Sequence, residues 1–205
     1  MIESFENYTE TANSYDNIRN CIGLDIITNN IHKKLSDVVM LDLACGTGNY
    51  SKYFFDKVKH LTCLDGNDQC LQNCKKKINN SSNVNFVLQN LSNKLEFEDN
   101  QFDVIIFNQV LHHLVIHNDD TKYDVIIHLI KELNRILKDD GVIIMNYTTN
   151  DQQKYSYWWS QLIPNIVDTI DYKFLSKDSV SELFHNNIQN CELQFYPVLD
   201  ETLMD

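Results

Sequence analysis

The most distinctive stretch of the chain is a run of small residues, 44–48, which directly follows the apolar residues 38–43. It contains Gly46 and Gly48, and glycine lets a ligand approach the backbone N–H groups of a turn closely. Asp42 stands two residues before this run, where a carboxylate would repel a pyrophosphate and attract a cation. The pattern therefore predicts a binding loop for a ligand that carries positive charge.

Two familiar phosphate-binding loops do not fit this stretch. A P-loop needs the spacing Gly-x4-Gly-Lys-Ser/Thr, which these residues lack. A dinucleotide-binding loop needs a third glycine at the position that Ser51 occupies here. Binding of NAD is therefore a disfavoured alternative.

A second polar cluster, His112 and His113, follows the apolar run 102–107. A histidine titrates near neutral pH and is able to accept a proton from a hydroxyl or amine nucleophile, and His113 is the stronger candidate. The alternative is that the histidines shape the loop through hydrogen bonds to the backbone. His117 follows, but the spacing His-His-x3-His is not that of a zinc protease, and we predict no metal site.

Alternating strands and helices would position these residues. Apolar runs too short for helices predict buried strands, alternation of polar and apolar residues over 83–88 predicts a further strand, and a repeating apolar face predicts helices. The predicted strands are 38–43, 60–64, 83–88, 102–107, 142–147 and 192–196, and the predicted helices are 23–35, 67–78 and 121–138. The last of these helices would end at the turn 139–141, and a further helix would begin with Ser176 as its cap.

The segment Leu41-Asp42-Leu43-Ala44-Cys45-Gly46-Thr47-Gly48 resembles motif I of the class I S-adenosylmethionine-dependent methyltransferases. The segment from Phe102 to Leu114 is similar to motif IV of the methyltransferase type 11/25-like domains. The resemblance covers about residues 8–147 and departs from the family at Ala44, where many members have glycine. It implies an α/β fold with a Rossmann-like, doubly wound, mostly parallel sheet and helices on both faces, in which the C-terminal strand pair would be truncated.

The resemblance also implies a cofactor, S-adenosyl-L-methionine, with S-adenosyl-L-homocysteine as the product. Asp65 would accept hydrogen bonds from ribose hydroxyls, and the alternative is a turn residue before Gly66. The amide of Asn90 would meet the adenine amino group, where relatives often have an acid. The implied cofactor-binding residues are Tyr15, Arg19, Asp42, Ala44, Cys45, Gly46, Gly48, Asp65, Gly66, Gln89, Asn90, Leu91, Asn108 and Gln109.

Three residues are candidates for catalysis. By the resemblance, His113 and His112 would lie near the transferred methyl group or line the entrance for the substrate. Tyr15 lies in a short segment that packs over the cofactor in similar methyltransferases, and it would meet His113 over the methyl group. The alternative for Tyr15 is packing of an amphipathic N-terminal helix.

Aromatic residues crowd together after the fifth predicted strand. Residues 148–175 would form a lid over the substrate, and Tyr157, Trp158 and Trp159 would join His113 in substrate binding. The alternative is the packing of two short helices, or a contact in an oligomer.

The chain of 205 residues is long enough for one α/β domain. Its net charge of −12 opposes binding to a phosphate backbone, so a nucleic-acid partner is disfavoured. We expect no membrane span, because no apolar stretch approaches about 18 residues. The N-terminus is unlike a secretory signal, so we expect a cytoplasmic protein with reduced cysteines. The predicted parts of the single domain 1–205 are a cofactor-covering segment 1–35, a cofactor-binding core 36–147, the lid 148–175, and a C-terminal helix and strand 176–205.

The function that the resemblance implies is transfer of a methyl group to an O, N, S or C atom of a small molecule. One alternative is a subunit or partner protein that binds the cofactor without catalysis, because a fold and a binding site do not prove turnover. A second alternative is a methyltransferase that acts on protein or RNA. The oligomeric state stays open.

Overall fold

The computed structural model describes residues 21–79, 81–117, 120–157, 160 and 162–198 of the 205-residue chain. The chain divides into two compact units. Among the described residues, 21–108, 135–146 and 195–198 form what we call the sheet unit. The others, 109–134 and 147–194, form what we call the helical unit.

The sheet unit is built on five parallel strands. These are β1 (Val39–Leu43), β2 (His60–Asp65), β3 (Val84–Leu88), β4 (Phe102–Asn108) and β5 (Leu137–Asn146). Their order across the sheet is β3-β2-β1-β4-β5, so the chain proceeds outward from β1 and then returns to its other side. This confirms the predicted Rossmann-like, doubly wound sheet. Its helices are α1 (Leu24–Asn29), α2 (Asn49–Phe54) and α3 (Asp68–Ile78).

The strands form where the sequence is continuously apolar. Met40, Leu41 and Leu43 of β1 are fully buried, and Ile105 and Ile106 of β4 are buried to the same degree. Burying a side chain of this size contributes about 1.5–3 kcal/mol relative to leaving it in water. The burial of both faces explains why these strands lack polar alternation.

The predicted helix 23–35 is wrong in length, because the observed helix α1 spans only Leu24–Asn29. Two polar side chains near its end bond to helix carbonyl groups: Thr28 Oγ1 donates to Leu24 O at 2.7 Å, and Asn30 Nδ2 donates to Ile26 O at 2.8 Å. Side chains of this kind compete with the backbone and favour helix ends. A short 3-10 helix, Leu35–Asp37, follows before β1.

The predicted turn at 139–141 lies inside a strand. Helix α5 (Asp124–Ile136) ends two residues earlier than predicted, and β5 begins at once with Leu137. Phe102 of β4 pairs with Leu137, but Val104 pairs with Val142, so residues 138–141 form a bulge opposite a single residue of β4. A Cβ on Gly141 would lie 3.0 Å from Asp103 O, which explains the glycine in the bulge.

Asp103, near the start of β4, forms hydrogen bonds with residues at the starts of β1 and β5. Its carboxylate accepts hydrogen bonds from Val39 N at 2.8 Å, Lys33 Nζ at 2.6 Å and Lys138 Nζ at 3.0 Å. Burial disfavours the ionised form, but these donors outweigh it and hold the pKa of Asp103 below its usual range. An ion pair with Asp103 therefore holds Lys138, the first residue of the bulge.

The predicted strand 192–196 is wrong, because residues 191–198 form neither a helix nor a strand. The end of this segment instead contacts residues at the two ends of α1. Tyr196 donates its hydroxyl to Asn30 Oδ1 at 3.1 Å, and Val198 packs 3.7 Å from the position that a Cβ on Gly23 would take. These contacts compete with pairing to a sheet edge.

The helical unit contains the short helix α4 (Leu111–Leu114) and most of α5. Helices α6 (Asn150–Tyr155), α7 (Pro164–Ile170) and α8 (Lys177–Asn187) follow, with a 3-10 helix at Asp171–Lys173. The predicted cap of α8 is confirmed, because Ser176 Oγ accepts from Ser179 N at 3.0 Å. The described part of residues 148–175 thus contains two short helices. A role of this segment as a lid over a substrate stays a prediction.

Within the ranges described above, no helix has the length and apolar character needed to cross a membrane. The same residues contain no group of three or more His, Cys, Asp or Glu side chains arranged to hold a metal ion.

Candidate cofactor site

The turn between β1 and α2 has a strongly constrained backbone. Ala44, Gly46 and Gly48 all adopt left-handed conformations, with φ of 55°, 56° and 85°. A Cβ on Gly46 would meet nothing within 4 Å, whereas a Cβ on Gly48 would lie 2.4 Å from Cys74 Sγ. Gly48 is therefore required by packing against α3, and Gly46 leaves open space beside the backbone where a ligand is able to approach.

Asp65 holds this turn in place from the end of β2. Its Oδ2 accepts from Gly46 N and its Oδ1 from Asn67 N, both at 2.8 Å. Burial raises the pKa of Asp65, and the N–H donors of Asn67, Gly46 and Gly66 oppose this rise. The cap of α3 is Asn67, whose Oδ1 accepts from Cys70 N at 3.0 Å. Asp65 thus connects the glycine turn after β1 to the turn before α3. Hydrogen bonds from Asp65 to ribose hydroxyls stay a prediction.

Asp42 is buried beneath the turn, with 2% of its surface exposed. Ser51 Oγ of α2 donates to Asp42 Oδ2 at 2.5 Å. Burial raises the pKa of Asp42 to about 7, and the hydrogen bond from Ser51 opposes the rise. In this geometry Asp42 fixes α2 to β1, and direct contact with a positively charged ligand stays a prediction.

Asn108, at the end of β4, has an amide whose polar atoms are buried and make no hydrogen bond within the described residues. It pairs in register with Asn146 of β5. A buried amide without partners costs about 1–3 kcal/mol in desolvation, so an unsatisfied group at the carboxyl end of a strand calls for an explanation. A ligand that supplies both an acceptor and a donor would satisfy it.

The loop after β3 is organised by its own side chains. Gln89 Nε2 donates to Lys94 O at 2.7 Å, and Asn90 Oδ1 accepts from both the N–H and the hydroxyl of Ser92 at 2.9 Å. The carbonyl of Asn90 has therefore filled its two acceptor positions, unlike the role that we predicted for it. Leu91 is buried. Gly66 has an ordinary backbone, and a Cβ there would lie 3.6 Å from Gln89 O.

Gln109 and Tyr157 belong to the helical unit, where Thr148 connects them. Thr148 Oγ1 lies 3.3 Å from Gln109 Oε1, to which it donates, and 3.2 Å from the Tyr157 hydroxyl. Gln109 adopts a left-handed conformation, with φ of 57°. The polar chain Gln109–Thr148–Tyr157 is thus a local network of the helical unit.

The two histidines of α4 pack against each other and against an aromatic ring. The ring centroids of His112 and His113 are 4.0 Å apart, and His112 stacks on Phe174 at 5.2 Å. His117 meets Tyr172 edge to face at 4.5 Å. Stacking restrains the ring of His112, and a catalytic role for His113 or His112 stays a prediction.

Four of the predicted site residues, Tyr15, Arg19, Trp158 and Trp159, lie outside the described residues. Of the others, the structure brings together the residues from 42 to 66 around one turn, with Gln89 bonded to Asp65 by its backbone N–H at 3.0 Å. No sequence motif predicts the hydrogen bonds of Ser51 and Thr148. Ser51 stands where a dinucleotide-binding loop has its third glycine, which is a signal for a changed contact at that position.

The residues of the sheet unit fit the cofactor that the resemblance implies. Open backbone at Gly46 suits close approach of a ligand, and the carboxylate of Asp65 has further lone pairs beyond the two N–H bonds that it accepts. The buried amide of Asn108 matches the amino acid part of the cofactor, which carries both donors and acceptors.

Known proteins resemble this chain in sequence and in fold. Residues 41–145, about half of the chain, match a family described as a methyltransferase domain. A Bacillus subtilis protein named as the methyltransferase YqeM is 30% identical over 141 residues, which are 68% of this chain and 54% of that protein. A demethylmenaquinone methyltransferase of Leptospira interrogans is 30% identical over 110 residues, which are 51% of this chain and 41% of that enzyme. The chain thus spans about half the length of these relatives.

The fold is shared with a chain in the complex between the Haloferax volcanii methyltransferase activator Trm112 and a methyltransferase. The TM-score is 0.61 and the identity 17%, with 87% of this chain and 70% of that chain covered. At this level of identity the likeness concerns the fold alone.

Proposed function

The chain belongs to the methyltransferase domain family of S-adenosylmethionine-dependent enzymes, and we propose that it transfers a methyl group from this cofactor to a small molecule. The observation that carries the proposal is the turn between β1 and α2. Its residues Ala44, Gly46 and Gly48 have left-handed backbone, Gly46 borders open space, and Asp65 accepts a hydrogen bond from Gly46 N. The cofactor supplies a methyl group on a positively charged sulfur, which is already activated toward a nucleophile.

The protein's part in binding would come from the sheet unit. Asp65 keeps acceptor capacity for ribose hydroxyls after bonding to Gly46 and Asn67. The amide of Asn108 would bind the methionine portion, which would remove its desolvation cost. The amino group of Asn90, whose carbonyl is occupied by Ser92, would donate to a ring nitrogen of adenine.

The protein's part in the reaction would be alignment and exclusion of water. A base is needed only when the acceptor atom must lose a proton during transfer. His113 is the candidate for this role because its neighbour His112 is held by stacking on Phe174. Tyr15 and the aromatic residues Trp158 and Trp159 keep their predicted roles in catalysis and substrate contact.

A small-molecule acceptor is supported by the relatives and by charge. The Leptospira relative is named a demethylmenaquinone methyltransferase. The net charge of −12 disfavours RNA. A complex of a fold neighbour with a methyltransferase activator supports testing this chain alone and with added partner proteins.

The test is calorimetric titration with S-adenosylmethionine, S-adenosylhomocysteine and NAD. We expect binding of the first two and none of NAD. Asn108→Ala is the sharpest variant, since it removes an amide that makes no hydrogen bond in the described structure, so no hydrogen bond within the described residues is lost with it. It should weaken binding up to about tenfold, the equivalent of one hydrogen bond.

Asp65→Ala should weaken binding by more than about tenfold, because it removes a charged acceptor. Asp56→Ala is the matched control, since the Asp56 carboxylate is exposed and forms a surface ion pair with Lys57. Thermal unfolding of each variant separates lost binding from lost folding. Absence of binding to both sulfur ligands would contradict the proposal. Binding without release of S-adenosylhomocysteine from any quinone, phenol or amine acceptor would favour the non-catalytic alternative.

A further inference from the structure

A short stretch before α1, residues 21–23, forms neither a helix nor a strand, and we call it the strap. Both backbone polar groups of its middle residue, Ile22, bond to one side chain. Ile22 N donates to the Tyr50 hydroxyl at 2.9 Å, and the same hydroxyl donates to Ile22 O at 3.1 Å. Backbone groups outside regular structure need partners of this kind. Tyr50, which stands 28 residues later in the chain, therefore holds the strap by its main chain.

These bonds place the strap at the start of α2, the helix that follows the glycine turn. Tyr50 is the second residue of this helix, and the first, Asn49, accepts at Oδ1 from Lys77 Nζ of α3 at 2.5 Å. Cys21 of the strap lies within electrostatic reach of both Lys77 and the Asp42 carboxyl beneath the turn. Burial raises the pKa of Cys21 to about 11, Asp42 adds to the rise, and Lys77 opposes it. The strap therefore lies beside the turn that the proposed function assigns to the cofactor.

Helix α1, which follows the strap, has contacts of its own that do not involve Tyr50. Ile27 of this helix is buried in the core of the sheet unit, and its N–H donates to Gly23 O at 2.9 Å. Val198 packs against Gly23 from the C-terminal part of the chain. Loss of the Tyr50 hydroxyl would therefore release the strap and leave α1 in place. What the hydroxyl fixes is the position of the strap beside the glycine turn.

We propose that Tyr50 is a positioning residue for the cofactor, because its hydroxyl holds the strap as one wall of the site at the glycine turn. This inference rests on the proposed function. The strap belongs to the segment 1–35 that the sequence predicts to cover the cofactor, and Tyr15 and Arg19 stand just before it in the chain. A hydroxyl that both donates to and accepts from one residue fixes the strap in one orientation. A wall held in this way loses less freedom when a ligand binds, which strengthens binding.

The variant Tyr50→Phe in the full chain tests the proposal, because it removes the hydroxyl and keeps the ring that packs on the core of the sheet unit. We expect calorimetry to show a Kd for S-adenosylhomocysteine about 3- to 10-fold higher than in the parent protein, the equivalent of one hydrogen bond. Tyr53→Phe is the matched control, since it removes a hydroxyl from the same helix and leaves both bonds to Ile22 intact. It should keep the Kd of the parent protein.

Amide hydrogen exchange, measured for single residues by NMR, separates positioning of the strap from a contribution to stability alone. In the parent protein S-adenosylhomocysteine should slow exchange of the Ile22 N–H more than that of the Asp37 N–H. The latter donates to Lys34 O at 2.8 Å and lies before the amino end of β1, opposite the glycine turn. In Tyr50→Phe the Ile22 N–H should exchange faster, with and without the ligand. A tyrosine that only stabilised the fold would change the thermal unfolding midpoint and leave the Kd as it is.

Equal Kd values in the parent protein and Tyr50→Phe would overturn the positioning role and leave the proposed function standing. An equal rise in Kd in Tyr53→Phe would also overturn it. Absence of binding by the parent protein contradicts the proposed function, and the positioning role fails with it. If circular dichroism shows that Tyr50→Phe is unfolded, hydrogen exchange in the parent protein decides. Slower exchange of the Ile22 N–H with the ligand supports the role, and unchanged exchange there overturns it.

Discussion

The glycine turn of the sheet unit and the polar residues of the helical unit are held by different kinds of contact. In the sheet unit the backbone itself is bonded, as when Asp65 accepts from Gly46 N and Asn67 N. In the helical unit side chains hold other side chains, as when Thr148 connects Gln109 and Tyr157. Backbone contacts are fixed with the fold, whereas side-chain contacts change with a rotamer. We therefore expect the glycine turn to be the more rigid of the two regions.

The strongest test of this contrast is Gly48→Ala. The new Cβ would lie 2.4 Å from Cys74 Sγ, and the residue would keep a φ of 85°. Left-handed backbone costs about 1–2 kcal/mol outside glycine, and overpacking costs about 1–3 kcal/mol more. We expect urea denaturation to show a loss of about 2–5 kcal/mol in the free energy of unfolding.

Gly66→Ala is the control for this variant, since its Cβ would make an ordinary contact, 3.6 Å from Gln89 O. It should cost less than about 1 kcal/mol. Equal losses in the two variants would show that the turn is not tightly packed, and the contrast between the regions would then fail.

A second test uses pH and Asp42→Asn. Burial raises the pKa of Asp42 to about 7 in the folded protein, whereas an unfolded Asp has a pKa of about 3.9. The folded state therefore holds the extra proton in this interval. The stability that comes from this proton is present below about pH 4 and is lost as the pH rises through about 7. Asp42→Asn should show a smaller decline in the free energy of unfolding between about pH 5 and about pH 8 than the parent protein.

Urea denaturation at several pH values gives this decline directly. The exposed Asp56→Asn serves as the control and should follow the parent curve. A parallel decline in Asp42→Asn would mean that Asp42 is ionised at low pH, and the burial argument for it would be incorrect.

Thr148→Val probes the helical unit. The isosteric side chain removes the contacts to Gln109 and Tyr157 while filling the same buried volume. We expect a loss of about 1 kcal/mol in stability, because the partners are side chains that are able to adopt other rotamers. Thr169→Val, at an exposed position of α7, is the control. A loss of stability above about 3 kcal/mol is the cost of a buried group left fully unsatisfied, and it would show that the network is rigid. It would then contradict the difference between the two regions.

The smallest expected effect is that of Ala44→Gly. Ala44 has a φ of 55°, which costs an alanine about 1–2 kcal/mol, and the greater freedom of glycine in the unfolded chain offsets about 0.5–1 kcal/mol. A gain of about 0–1.5 kcal/mol in the free energy of unfolding, measured by urea denaturation, is therefore expected. A loss instead would show that the methyl group of Ala44 contributes packing that outweighs the backbone strain.

The positions of most strands could be predicted from the sequence, whereas most contacts within the site could not. Buried strands are encoded locally by apolar runs and the half-exposed β3 by alternation of polar and apolar residues, which is why β1, β2, β3 and β4 lie close to their predicted positions. The start of β5 was misjudged because the bulge depends on Asp103, a residue distant in sequence. The glycine turn could be predicted from residue types, but the occupied carbonyl of Asn90 and the bond from Ser51 to Asp42 depend on side-chain geometry that no spacing encodes.

The bulge in β5 also bears on how copies of this protein behave in concentrated solution. Among the described residues β5 pairs with β4 alone, so its second side is an edge of the sheet. Such edges invite strands of other molecules and lead to aggregation. Here residues 138–141 break the regular spacing of those groups, and the exposed Asp139 and Asp140 put negative charge beside them. The same bulge that fits the strand to Asp103 thereby protects this end of the sheet from edge-to-edge association.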